Sequence, residues 1–252
     1  MRVAYACSKI GLFDRAKEYL REVELGFPFE KITHPEFAVF LRKKTEITLD
    51  SFELSWPLDE QNVQDTLSKA NTDLVTAEQI LSNSLGRNHH QSAVTKKEIA
   101  RLKILMGCHK IAYGEIRLAL RMLTPNVSHH LRAEFSLIRS DAEKKLGLNM
   151  AQKLSLEAAK TIYGTTFGDN HPMVAFTLQK LCTRYLDLER PQTAYKYYEA
   201  SENACEILKT HLREQLDSCH SDFLKNYNID THPIVKRQQL LTKRIMHNQG
   251  AW

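Results

Sequence analysis

Eleven histidines and five cysteines are the residues of this 252-residue chain whose types could carry chemistry. The pairs His89-His90 and His129-His130 invite a metal reading, and Cys108-His109 and Cys219-His220 a thiol–imidazole one. A zinc site needs three or four converging ligands, with Cys and His closely spaced. Here the histidines recur at long intervals, so they read as helix-entry residues rather than ligands. Neighbours on a helix point in different directions, so neither Cys-His dipeptide is by itself a nucleophile and its base. The chain carries no GxSxG, no HExxH, no P-loop and no dinucleotide fingerprint. No catalytic residue, metal or cofactor is expected. Cys7, Cys108, Cys182, Cys205 and Cys219 form an odd set without a CxxC, unlike a disulfide-stapled scaffold.

The elements that would position any binding residue are helical. Gly and Pro number only 9 and 7, which argues against a turn-rich β-sandwich. Apolar residues at 42% and aromatics at 8% suffice for a core, which argues against disorder. No apolar run approaches the roughly 20 residues that span a membrane. Met1 to Phe13, broken by Lys9 and Gly11, lacks the apolar stretch of a signal peptide. The expectation is a soluble, cytoplasmic, all-α protein.

The chain also repeats itself. Leu85-Gly86-Arg87-Asn88-His89-His90-Gln91-Ser92-Ala93 aligns without a gap on Phe167-Gly168-Asp169-Asn170-His171-Pro172-Met173-Val174-Ala175. Between them His129 is followed, four residues on, by Ala133, and weaker copies stand at His34-Pro35 and His232-Pro233. His89, His129 and His171 are separated by 40 and 42 residues. Gly107 and Gly147 each lie eighteen residues after a loop His, and Ala112 follows five after the first. Gly11 and Ala16 repeat that spacing near the start, and Ala194 keeps the phase after His171. Glu189 replaces the turn Gly, and Gln152 stands where a small residue is expected. Gly allows the left-handed backbone that ends a helix, Pro suits the first turn of the next, and a small residue lets paired helices approach. A loop–helix–turn–helix unit of about 41 residues follows.

The block Phe167 to Ala175, with Leu178, Leu181, Ala194 and Tyr198, resembles the long tetratricopeptide (TPR) repeat of kinesin light chains. Related helical domains, including the C-terminal part of SET-and-MYND methyltransferases, are similar. The resemblance implies a right-handed superhelix, an α-solenoid, of antiparallel helix pairs in one domain. Its parts would be a partial first repeat (1–33) and a divergent one (34–88) with an inserted loop near 51–64. Repeats 89–128, 129–170 and 171–231 follow, the last with an extended helix, and a capping helix (232–252) closes the chain. The partial opening repeat suggests a piece of a longer protein.

In such arrays the first helix of each pair lines a concave groove, and the resemblance places its positions five, eight, twelve, fifteen and sixteen residues after each loop His. They give Val94, Lys97, Arg101, Ile104 and Leu105, then Glu134, Leu137, Asp141, Lys144 and Lys145, then Phe176, Gln179, Thr183, Leu186 and Asp187. The flanking copies add Arg42, Arg237 and Arg244. The bias is basic in the first half, which suits an acidic or phosphorylated peptide. The expected function is a non-catalytic adaptor or scaffold that holds a protein segment. Two alternatives stay open: the helical regulatory part of a larger SET-and-MYND-like enzyme, and a nucleic-acid-binding helical repeat. The second is disfavoured by a net charge of only +5. Charge reversal at Lys97 and Arg101 is expected to weaken binding without altering helicity or melting.

Overall fold

The computed structural model describes residues 1–28, 33–54, 60–123, 129–217 and 227–249. Among them the chain is all-helical, with no strand. Eleven α-helices follow in order: α1 (Arg2–Lys9), α2 (Phe13–Leu25), α3 (Pro35–Leu54), α4 (Glu60–Leu85), α5 (His90–Leu105), α6 (His109–Met122), α7 (His129–Lys145), α8 (Asn149–Phe167), α9 (Pro172–Asp187), α10 (Pro191–Asp217) and α11 (Pro233–Gln249). A short 3₁₀ turn, Ile229–Thr231, precedes the last. The chain divides into two compact units, Met1–Gln152 and Lys153–Trp252.

In the first unit α1 packs on α2, α3 on α4 and α5 on α6. The first helices of these pairs also pack on one another in chain order, α1 on α3, α3 on α5 and α5 on α7. The second helices bridge forward, α2 to α3, α4 to α5 and α6 to α7. This is a helical-repeat-like arrangement. In the second unit α9 packs on α10, and α11 packs on both.

The close approaches run through the small residues the repeat singled out. Ala16, Ala112 and Ala194 are fully buried and Ala70 nearly so, while Gln152 is buried in the odd position. Around them lie Leu20, Phe40, Leu41, Ala77 and Leu81 near the start, then Ile116, Ala119, Phe135 and Ala142 further along. Burying such side chains contributes about 1.5–3 kcal/mol for each large one.

Two local devices set the helix ends. Gly11, Gly86, Gly107, Gly147 and Gly168 all have positive φ, from 71° to 89°, as helix terminators do. At Glu189, where the sequence lacks the turn glycine, the backbone still turns left-handed with φ 55°. The loop histidines are N-caps. The Nδ1 of His34, His89, His171 and His232 accepts the backbone N–H two residues on, at 3.2 or 3.3 Å. His129 instead lies inside α7, so the copy there is one residue out of register.

The expected inserted loop near 51–64 is mostly helix. α3 continues to Leu54 and α4 begins at Glu60 rather than near Asp65, so longer helices take up the extra length; 55–59 lie outside the described residues. In the longer last interval α10 runs 27 residues, Pro191–Asp217, and 218–226 lie outside the described residues.

Glu189 carries a side chain through a conformation that costs an L-residue about 1–2 kcal/mol. Glu189→Gly removes that strain and adds unfolded-chain entropy worth somewhat less. The expected result is a melting temperature about 1–3 °C higher by calorimetry; a lower one means the Glu189 side chain itself stabilises the turn. His232 gives the caps a pH signature, because burial lowers its pKa to about 4. The folded state keeps the imidazole neutral while the unfolded chain takes up a proton near pH 6.5, so stability falls as pH drops from about 6.5 toward 4. The full loss is at most about 3 kcal/mol. His232→Asn keeps a capping acceptor without titrating there, and urea unfolding across that range should show a flatter dependence.

Candidate functional site

The positions that the resemblance assigns to a groove in the first unit lie on α3, α5 and α7, which pack in chain order after α1, and most of them are buried. Val94 and Leu137 are buried apolar residues. Arg42, Lys97 and Arg101 are buried too, at 5%, 7% and 9% exposure. Ile104 is half-buried and packs on the α5–α7 core. Lys144 and Lys145 are exposed in the last turn of α7.

Lys97 and Arg101 belong to an ion network that crosses all four helices. The Lys97 ammonium contacts Glu98 at 3.0 Å and Glu134 at 2.7 Å. Arg101 reaches Asp50 at 2.7 Å through Nη2, and Glu98 at 3.7 Å through Nη1. From α1, Lys9 bridges Asp50 at 2.9 Å and Glu46 at 3.2 Å, and Ser8 donates to Asp50. Lys43 closes on Glu46 at 2.9 Å and stands 3.6 Å over the Tyr5 ring, whose hydroxyl also donates to Glu46. Lys9, Lys43, Lys97 and Arg101 thus face Glu46, Asp50, Glu98 and Glu134, and the charges cancel.

Titration follows from these contacts. Burial opposes the charge of Lys97, yet Glu98, Glu134 and Glu46 outweigh it and raise its pKa well above the ordinary lysine range. Burial likewise opposes the Glu46 carboxylate, and Lys97, Lys9 and Lys43 hold its pKa well below the usual range all the same. Burial first, and Glu46 second, push the Tyr5 phenol up to about 12. Lys97 and Glu46 therefore both stay ionised throughout the physiological range.

In the second unit polar groups are handled differently. Gln179 of α9 is buried and donates from Nε2 to the Ile234 carbonyl at 3.1 Å, to Gln238 at 3.0 Å and to the Cys205 sulfur at 3.4 Å. Ser201 of α10 also donates to Gln238, at 2.9 Å. Phe176 is half-buried beneath Arg237, whose guanidinium lies 4.8 Å from the ring centre. Arg244 is exposed and pairs with Asp187 at 2.7 Å. The half-buried Thr183 donates back to the Gln179 carbonyl within its own helix.

Other chemistry is less well served. Burial pushes the Cys182 and Cys205 thiols up to about 12 and 11, away from nucleophilic thiolate. Among the described residues no three His, Cys, Asp or Glu side chains are grouped to hold a metal ion, and no helix is long and apolar enough to cross a membrane. No protein-family model matches the chain, and no curated protein matches it.

Glu134 stands among the positions named from the sequence; Glu46, Asp50 and Glu98 are what sequence reasoning missed. Extended to His34, the register that selects Lys97 and Arg101 reaches Glu46 and Asp50 at twelve and sixteen residues, the carboxylates opposite the cations. The expectation that Lys97 and Arg101 can be reversed without altering stability is corrected by their burial. Removing one partner of a buried ion pair costs about 3–5 kcal/mol. Lys97→Met leaves Glu98, which is only 1% exposed, with Arg101 at 3.7 Å as its remaining cation, and should lower the urea midpoint by an equivalent amount. A midpoint within experimental error of the parent would mean that the network adds nothing to stability.

Proposed function

We propose that the chain is a non-catalytic protein-interaction module, an adaptor or scaffold built of TPR-like antiparallel helix pairs coiled into a right-handed superhelix. The first helix of each pair would present side chains to an extended peptide or protein segment. The observation that carries this reading is the row formed by α1, α3, α5 and α7, each packed on the next, with polar and charged side chains where a packing layer would be apolar. A row so cross-linked by ion pairs is rigid before a partner arrives, which lowers the ordering cost of association.

The preference for an acidic or phosphorylated partner is narrower than the sequence alone suggests. Lys97 and Arg101 are occupied by Glu98, Glu134 and Asp50, so among the basic positions expected in this unit the exposed ones are Lys144 and Lys145, while Arg42 is buried. Affinity capture with the whole chain beside a Lys144→Gln/Lys145→Gln variant tests the module. The expected outcome is a partner enriched by the parent and reduced at least fivefold by the variant, with melting shifted by no more than about 2 °C. Equal enrichment would move the interface off this end of the row; no enriched protein at all would count against the adaptor reading.

A further inference from the structure

Every cation in the network has a carboxylate except one that lies beside it. Arg42 of α3 is 5% exposed, and its only hydrogen bond runs from Nη2 to the Gln91 Oε1 at 3.3 Å. Its Nε–H has no acceptor, and among the described residues no carboxylate pairs with it. A guanidinium cannot discharge itself by losing a proton, so the charge persists where water is scarce. Uncompensated burial of that kind is costly, and proteins place it where something else completes the shell.

The surroundings say what that something is. Thr45, three residues on and therefore on the same side of α3, is 1% exposed, and its hydroxyl also has no partner. Gln91 stands in the first turn of α5, where sixteen residues of helix direct their positive end, and His90 beside it is exposed to solvent. Lys43, the next residue of α3, adds positive field despite its bond to Glu46. The His90 pKa is lowered by burial, by His89 and by Arg42, which places the guanidinium within electrostatic reach of that open edge. Two buried donors of this side of α3 have no acceptor, and the nearby acceptors are spent elsewhere: Glu46 on Lys9, Lys43 and Tyr5, and Gln91 Oε1 on Arg42 itself.

We propose that Arg42, with Thr45 and the Gln91 end of α5, is an oxyanion-binding site that takes a phosphate group, carried on a phosphorylated side chain of the bound segment. A phosphate dianion supplies the acceptors that the guanidinium and the hydroxyl lack and suits bidentate capture by arginine. The site itself stands on Arg42; only the carrier rests on the peptide-binding reading above.

The test uses the whole chain and titrates inorganic phosphate, against chloride of equal ionic strength, by calorimetry and thermal shift. The parent should bind phosphate and melt higher in it. Arg42→Gln should bind at least tenfold more weakly and lose the phosphate-dependent shift, while its own melting temperature in chloride stays level or rises, because an uncompensated buried charge has gone. Arg42→Lys should recover part of the binding. Equal phosphate affinity in parent and Arg42→Gln overturns the site, as does a fall in Arg42→Gln melting with an undiminished phosphate shift, which marks Arg42 as structural. A second arm screens phosphoserine-containing peptides against their unphosphorylated twins. Tighter binding of the phosphorylated set, lost in Arg42→Gln, supports the carrier. Phosphate binding at Arg42 with no phosphopeptide preference keeps the site and overturns the carrier.

Discussion

The helices α1, α3, α5 and α7 can lie side by side only because the charges brought together at their meeting face cancel. Four cations and four carboxylates meet there, and Lys97, Arg101, Glu46 and Glu98 among them are buried, where an uncompensated charge would cost several kcal/mol. The network is not needed for cohesion, since apolar side chains of similar size would hold the helices as well. Its effect is positional. Lys97 must reach both Glu98 of its own helix and Glu134 of α7, and Asp50 must meet both Lys9 of α1 and Arg101 of α5, so a slip of one helix along another breaks contacts on two sides. Apolar packing alone tolerates such slips far better.

Helix ends add a second, purely local constraint. The repeated His places a ring nitrogen where the first free N–H of the following helix needs an acceptor, and the repeated Gly permits the left-handed step before it. Within the second unit amides take the part that ions play in the first. Gln179 joins α9 to α10 and α11 through Cys205, the Ile234 carbonyl and Gln238, fixing three helices without any net charge. That choice leaves the Gln179 Oε1 and the Gln238 Nε2 without hydrogen-bond partners, as the Glu98 Oε2 is in the ionic network.

Much of this was legible in the sequence, because the marks used are local. His89, His171 and Gly107 each act on backbone within a few residues, and so their spacing located helix ends closely. Glu189 was identifiable as the exception, although its left-handed backbone was not, since only the demands of the surrounding turn impose it. The charges were harder to read. Counting from a loop His says which side chains share a face, but not which of them neutralise one another, because Asp50 and Arg101 meet across two helices. The stretch near Trp56-Pro57 misled for a different reason. The long interval argued for an inserted loop, yet helix reaches Leu54 on one side and starts at Glu60 on the other, because Phe52 and Val63 still pack on the cluster of Leu49, Leu67, Leu74 and Leu102.

A surface whose charges already cancel exerts little field at a distance, so attraction of a partner by net charge contributes little here. What such a surface does well is discriminate, because the network fixes positions while leaving a single charge unanswered. If every cation were free, any acidic segment would bind somewhere along the row, in several registers and with strong dependence on salt. With Lys9, Lys43, Lys97 and Arg101 each held by its carboxylates, only a group that satisfies Arg42 recovers the desolvation already incurred there. The same arrangement accounts for the placement of Arg42 beside the network rather than within it. A fifth cation among the four carboxylates would be neutralised, and no buried cation of the face would then be left without a carboxylate.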